Sequence, residues 1–320
     1  MNQVASRLFN QVRLFSNLAV IFAILVSVLF QGVINSGNLS WQVVLSVLAL
    51  AIGIPHGAVD HLITIPRSSK SRFILFIVGY VALAIVAVIA ILYWNVIGFE
   101  VVVWMSALHF GFGDASFIAE SDRLAGKAMM PKYLEVFYAL SAGCLPVIIP
   151  LVQEKSSSAL GKVNSSLVNW AGNYTSTLRY LVLTITLLAL VMLATRKRYR
   201  EIIDLTALAA LALVTPPLIA FAFYFGCWHA TRHTARLTLL LPSSIQATQA
   251  GDGRKSLIKA INPGLPALIG TVLVGISLAI FNKNGFSSSL LWSLLVVVWA
   301  LTVPHMMATA KLDLKALSFK

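Results

Sequence analysis

Apolar stretches of about 20 residues, the length a helix needs to cross a bilayer, recur along nearly the whole chain. They fall at 14–33, 41–63, 72–94, 97–117, 132–152, 176–195, 201–215, 217–238, 264–281 and 288–309. Inside hydrocarbon every backbone N–H and C=O must find its partner within the protein, which makes such segments helices. The expected fold is therefore an all-α, polytopic integral membrane bundle of about ten transmembrane helices (eight to ten overall), one transmembrane domain over residues 1–320. Composition agrees: 11% of residues are charged and 58% hydrophobic, with mean hydropathy +0.86, where a soluble domain carries roughly 25% charged residues. The run after Arg7 and Arg13 is too long for a signal-peptide core and lacks a small-residue cleavage site, so it reads as the first span. Pro216-Pro217 either separates the seventh and eighth segments or kinks one longer helix.

The net charge of +13 does not indicate nucleic acid, because the basic residues form short clusters between apolar runs instead of one stripe. With the N-terminus inside and ten spans, only Lys155, Lys162, Arg179 and Lys283 of the 24 basic residues face outward. The cytoplasmic groups include Arg67, Lys70 and Arg72, the run Arg196 to Arg200, and Arg232, Arg236, Arg254, Lys255 and Lys259. Nine spans would move the last two inside groups out, so ten is preferred, multi-pass in the cell (inner) membrane with both termini cytoplasmic. The stretches 153–175 and 240–262 are Ser/Gln/Asn/Gly-rich and read as plain connecting loops. Cys144 and Cys227 lie in apolar segments, which argues against a disulfide framework and for buried free thiols.

All six histidines sit inside the apolar segments, in four patches: Pro55-His56-Gly57-Ala58-Val59-Asp60-His61, His109-Phe110-Gly111-Phe112-Gly113-Asp114, Cys227-Trp228-His229-Ala230-Thr231-Arg232-His233 and Pro304-His305. The patches fall on the second, fourth, eighth and tenth segments, which run in the same direction. In each, the first histidine comes 12 to 17 residues after the start, roughly 18–25 Å of helical rise. Four distant motifs thereby converge on one layer in the cytoplasmic half. Ionisable groups at that depth are expensive and usually functional.

His229 and His233 are four apart, so both imidazoles leave one helical face and can chelate one ion. His56 and Asp60 share the spacing, which places Asp60 to accept the second ring N–H of His56. His109 is a further ligand candidate, while Asp114 lies less cleanly on its face. His61 is rotated away from His56 unless Pro55 and Gly57 distort the backbone. His305, near the end of the last segment, is another candidate. His61 and His305, taken singly, stay open between a ligand role and an interhelical hydrogen bond. Asp60 and Asp114 stay open between supporting a ligand and ion pairing, for instance with Arg232. Imidazole-rich, carboxylate-poor chemistry suits iron, copper or zinc rather than magnesium or calcium. Phe110, Phe112, Tyr224 and Trp228 are candidates to line an apolar substrate tunnel, although such residues more often pack helices.

The motif set Pro-His-Gly-x-x-Asp-His, His-Phe-Gly-x-x-Asp, Trp-His-x-x-Arg-His and a late Pro-His resembles the Brp/Blh family of bacterial and archaeal β-carotene dioxygenases, from the second segment to the last. The resemblance implies iron(II)- and O2-dependent cleavage of the central 15,15′ double bond of β-carotene to two retinals, a product that serves a microbial rhodopsin. It points to His56, His109, His229 and His233 as iron ligands, leaves His61 and His305 as additional matches, and implies no catalytic side chain beyond the metal site. The extra glycine of the second motif, Gly113, is compatible with close helix packing. Membrane lipid is the implied surrounding of so apolar a substrate. A di-iron desaturase needs about eight histidines, and a haem carrier needs long same-helix histidine spacings absent here. From another class, a divalent metal-ion transporter with an intramembrane His/Asp path is the alternative; its ligands would spread through the membrane depth, where these occupy one layer.

Overall fold

A computed structural model describes residues 2–34, 40–65, 70–154, 156–281 and 286–318. The predicted charges Arg67, Lys155, Lys283 and Lys320 lie outside them. Among the described residues there is no strand, and the chain is a bundle of helices. In order these are α1 (Asn2–Leu29), α2 (Ser40–Gly57), α3 (Lys70–Tyr93), α4 (Asn95–Leu124), α5 (Lys132–Leu151), α6 (Ser156–Val163), α7 (Thr175–Thr195) and α8 (Tyr199–Val214). After them come α9 (Pro217–Ala222), α10 (Ala230–Leu237), α11 (Pro242–Gln249), α12 (Gly253–Ile261), α13 (Leu265–Phe281) and α14 (Phe286–Ser318). One-turn helices occupy Gln31–Ile34 and Asp60–Thr64, and a π-helix, Phe223–His229, joins α9 to α10.

Among the described residues eight helical stretches are long and apolar enough to cross a membrane, the low end of the expected eight to ten. The other two predicted spans are helical as well, but α8 has only 16 residues. The 217–238 segment is divided among α9, the π-helix and α10 and carries two arginines. Pro216-Pro217 does separate two helices: Thr215 and Pro216 are extended, with ψ near 148° and 149°, and Pro217 opens α9. Proline at a first helical position gives up an N–H that had no partner there anyway. Long helices such as α3 expose Leu75, Val78, Val86 and Ile89, the surface that hydrocarbon covers in a membrane protein.

The two supposed loops are ordered. Residues 153–175 contain α6, and 240–262 fold into α11 and α12. Local chemistry explains the second pair. Pro242 starts α11, Asp252 caps α12 by accepting from the Lys255 N–H at 2.8 Å, and Thr248 donates to Ser256 at 2.8 Å between the two. Leu237, Leu241 and Ala260 then close over Val59 in a small apolar cluster.

Glycine sets the closest crossing. A Cβ on Gly111 would collide with the Ala139 carbonyl, and one on Gly143 with the Ala107 carbonyl, so α4 and α5 meet backbone to backbone. Gly111 therefore takes the packing role expected of Gly113, whose Cβ would make only an ordinary contact with His229. Both cysteines are free.

Candidate metal centre

The first motif patch breaks its own helix. Pro55 removes a backbone donor from the last turn of α2, the helix ends at Gly57, and the chain restarts as a helix only at Asp60. That break puts His56 and His61 on different sides. His56 faces the interior at 5% exposure, while the ring of His61 stands edge-on to Phe73 at 5.8 Å. The fourth patch behaves differently. Pro304 is accommodated within α14, which runs on to Ser318, so His305 is a mid-helix residue rather than one near the helix end. In the third patch the π-helix ends at His229 and α10 carries His233. Widened turns of this type concentrate at functional sites.

Five of the six histidine rings form a cage. His56, His229, His109 and His305 follow one another with ring centres 5.2, 5.1 and 4.9 Å apart, and His305 closes on His56 at 5.5 Å. His233 caps this girdle, 5.0, 6.3, 6.0 and 5.6 Å from His56, His109, His229 and His305. All five are buried. His56 Nδ1, His109 Nε2, His229 Nε2, His305 Nε2 and both nitrogens of His233 have no hydrogen-bond partner. A buried polar atom left unpaired costs roughly 1–3 kcal/mol, so six such nitrogens in one cage call for a shared partner. Among the described residues no three donors are drawn together into a closed ligand set; the cage is open, and its donor chemistry fits a late first-row metal ion held by neutral imidazoles.

Asp60 supports the cage from a different position than its spacing implied. Its carboxylate meets His305 Nδ1 at 3.0 and 2.9 Å and not the ring of His56. The i,i+4 geometry fails because the helix is broken at Ala58–Val59. Tyr80 on α3 donates its hydroxyl to the same carboxylate at 3.1 Å, a partner that sequence spacing had no means to reveal. With Nδ1 engaged by a carboxylate, Nε2 of His305 is the nitrogen free for a ligand.

Asp114 serves the framework instead. It accepts from the Trp228 indole at 2.7 Å and pairs with Arg232 at 3.4 Å. Arg232 also meets Asp204 at 3.2 Å and lies over the Trp228 ring at 3.6 Å. Arg13 joins Asp204 and Glu201, at 3.0 and 2.9 Å. One turn along α10, Arg236 pairs with Glu120 at 3.0 Å and Asp313 at 2.6 Å. Arg232 and Arg236, counted on the cytoplasmic side, are each 1% exposed, and Asp114 takes the ion-pairing alternative with Arg232. Neither Glu120, Glu201, Asp204 nor Asp313 was singled out from the sequence; the signal was the presence of acids inside predicted spans and at their ends.

Two cavities meet beside the cage. One, about 850 Å³ counted with its open mouth, touches His56, His61, His109, His229, His305, Asp60 and Tyr80 and reaches Ala267 and Thr271 of α13. The other, about 1120 Å³ counted with its open mouth, lies among Leu50, Val102, Val103, Val147, Leu295 and their neighbours and is almost wholly apolar. Phe110, Phe225, Val298 and Thr302 belong to the walls of both. Of the candidate lining residues, Phe110 and Tyr224 border this apolar space. Trp228 does not line these cavities and is fully buried against Arg232, and Phe112 is partly buried against the core, outside both walls.

A family model described as β-carotene 15,15′-dioxygenase matches residues 45–313. A protein of an uncultured marine bacterium, 66A03, named β-carotene 15,15′-dioxygenase, is 26% identical over 273 residues, 81% of this chain and 89% of that protein. A Halobacterium salinarum protein named probable β-carotene 15,15′-dioxygenase Blh is 25% identical over 303 residues, covering 83% and 82% of the two chains. No solved structure matches.

Proposed function

We propose that this chain, which belongs to the β-carotene 15,15′-dioxygenase family, splits the central double bond of β-carotene with O2 to give two retinals inside the membrane. The balance is simple: one carotene and one O2 become two aldehydes, with no atom or electron left over. The observation that carries the reading is a five-imidazole cage flanked by two cavities, one of them apolar. His56, His109, His229, His233 and His305 are the residues that would hold iron(II), and iron supplies the one-electron chemistry that brings triplet O2 into reaction with an alkene.

The chain's own residues orient and exclude. Phe110 and Phe225 stand against His229, at 4.3 and 6.1 Å between ring centres, and present apolar faces to a polyene. Asp60, braced by Tyr80, fixes the ring of His305. The ion-paired Arg232 and Arg236 hold α10, which carries His233, in place. The apolar walls keep water from the reacting bond. A metal-ion transporter would need polar groups along a path through the membrane; the larger cavity leading from the cage is lined instead by residues such as Leu50, Val102 and Val298. Carotene and O2 both concentrate in lipid, so the substrates arrive through the bilayer, and a microbial rhodopsin is the fitting recipient of the retinal. The inner membrane with the N-terminus inside is the matching placement.

The test is product analysis on protein purified in detergent and supplied with ferrous iron, O2 and β-carotene, with metal content measured on the same sample. Two retinals per carotene, lost on chelation, are expected. Bound iron with no cleavage of carotene would overturn the substrate; neither iron nor cleavage would overturn the reaction class.

A further inference from the structure

The two cavities differ in a way that bears on which bond breaks. The smaller one spreads sideways from the cage toward α3 and α13, long helices that are mostly exposed. The larger one runs along the helices. On α4 its wall extends from Phe110 back to Phe99, and on α14 from Thr302 back to Leu291. Each interval is 11 residues, a shaft of roughly 16 Å at 1.5 Å per residue and on the scale of half a carotene. Its near end is the threshold Phe110–Phe225–Val298–Thr302 beside the histidines, and Ala159, Leu160 and Val163 of α6, next to the start of α4, line its other end.

That end wall is built in and does not hang loose. Ala159, Leu160 and Val163 are buried. Asn164, just after α6, donates to Asn95 at the start of α4 at 2.7 Å. The Trp170 indole donates to the Leu151 carbonyl at 3.3 Å. A fixed wall at a fixed distance from the cage can measure a rod-like molecule.

We propose that α6 is the stop of a molecular ruler: the leading ring of the carotene seats against Leu160 and Val163, and the depth of the shaft decides which double bond lies at the histidine cage. The proposal rests on the carotene-cleaving reading above. It assigns regioselectivity to residues some 50 positions from any histidine motif, in a segment whose sequence reads as a loop.

The experiment compares full-length wild type with Leu160→Phe, Val163→Phe and Leu160→Ala, each loaded with iron. Aldehydes from β-carotene are resolved by chain length, and carotene retained by the iron-free protein is measured from its visible absorption. The two phenylalanine variants are expected to hold the polyene back, so that unequal aldehyde pairs rise from trace to at least one third of product while total turnover falls three- to tenfold. Leu160→Ala only adds space and keeps the test decisive if a bulkier side chain unfolds the protein. It is expected to let the polyene slide deeper and likewise yield unequal pairs. Equal halves as nine-tenths or more of the product in variants that retain carotene and iron overturn the ruler and leave the reaction standing. Wild type that cleaves no carotene overturns both.

Discussion

His305 and Asp60, 245 positions apart in sequence, meet with the ring Nδ1 at 3.0 and 2.9 Å from the two carboxylate oxygens. The contact fixes the ring's orientation and leaves Nε2 as its outstanding nitrogen, which has no other partner. Supporting carboxylates of this kind typically contribute 10- to 100-fold to metal affinity. Asp60→Asn is therefore expected to weaken iron binding about 10- to 100-fold. Tyr80→Phe, which removes the 3.1 Å hydrogen bond to Asp60 and a longer one to the Leu301 carbonyl at 3.4 Å, is expected to do so severalfold. Iron titration of detergent-solubilised protein, with circular dichroism as a check on folding, separates the two. Wild-type affinity in Asp60→Asn would remove the supporting role.

The histidines divide into five caged rings and one outside. His229→Ala or His233→Ala is expected to abolish iron retention while membrane insertion persists. His61→Ala is expected to keep its iron, because that ring contacts Phe73 rather than the cage. Metal analysis of membranes after washing, with wild type alongside, decides the matter. Loss of iron in His61→Ala would redraw the ligand set.

The glycine crossing of α4 and α5 is the most sensitive packing site. Gly111→Ala and Gly143→Ala each drive a methyl group into a carbonyl of the facing helix. Overpacking of this sort costs about 1–3 kcal/mol. The double variant is expected to cost less than the sum, because one widening of the crossing relieves both clashes. Thermal unfolding in one detergent, for all four proteins, reads out the cycle.

Arg236 sits between Glu120 and Asp313, 1% exposed. Removing one partner from such a buried set typically costs about 3–5 kcal/mol, mostly as the penalty of stranded charge. Arg236→Met is accordingly expected to be strongly destabilised, and Arg236→Met combined with Glu120→Gln and Asp313→Asn to recover much of the loss. The readout is again thermal unfolding. Failure of the triple variant to recover would mean that the network contributes through specific hydrogen bonds rather than through charge neutralisation.

The membrane-embedded helical bundle, the layer of histidines and the shared inward face of His229 and His233 were legible in the sequence, because spans and same-face spacings are local properties. What was misplaced needed contacts between distant helices. Asp60 was assigned to His56 by spacing along one helix, and the break after Gly57 hands it to His305. Arg232 was counted on the cytoplasmic side and also offered as an ion-pair partner for Asp114, which it is; its second partner, Asp204, lies on another helix and could not be read from spacing. Trp228 looked like a lining residue, yet its indole is used to hold Asp114 and its face to carry Arg232. The helix of 156–163 was hidden by polar composition, since Ser156, Ser157 and Ser158 read as loop while Ala159, Leu160 and Val163 pack inward.

The π-helix from Phe223 to His229 makes the alignment of wall and cage a matter of counting. A wide turn holds one more residue than an α-turn would, so it takes up an extra position locally and the helices on either side keep their faces. Excising a single residue there would tighten the turn to ordinary pitch and leave α9 and α10 in nearly the same relative orientation. Excising one from α10, where no wide turn absorbs the loss, would rotate everything beyond the cut by about 100°. The register of this enzyme is thus buffered at the wide turn and sensitive to chain length just beyond it.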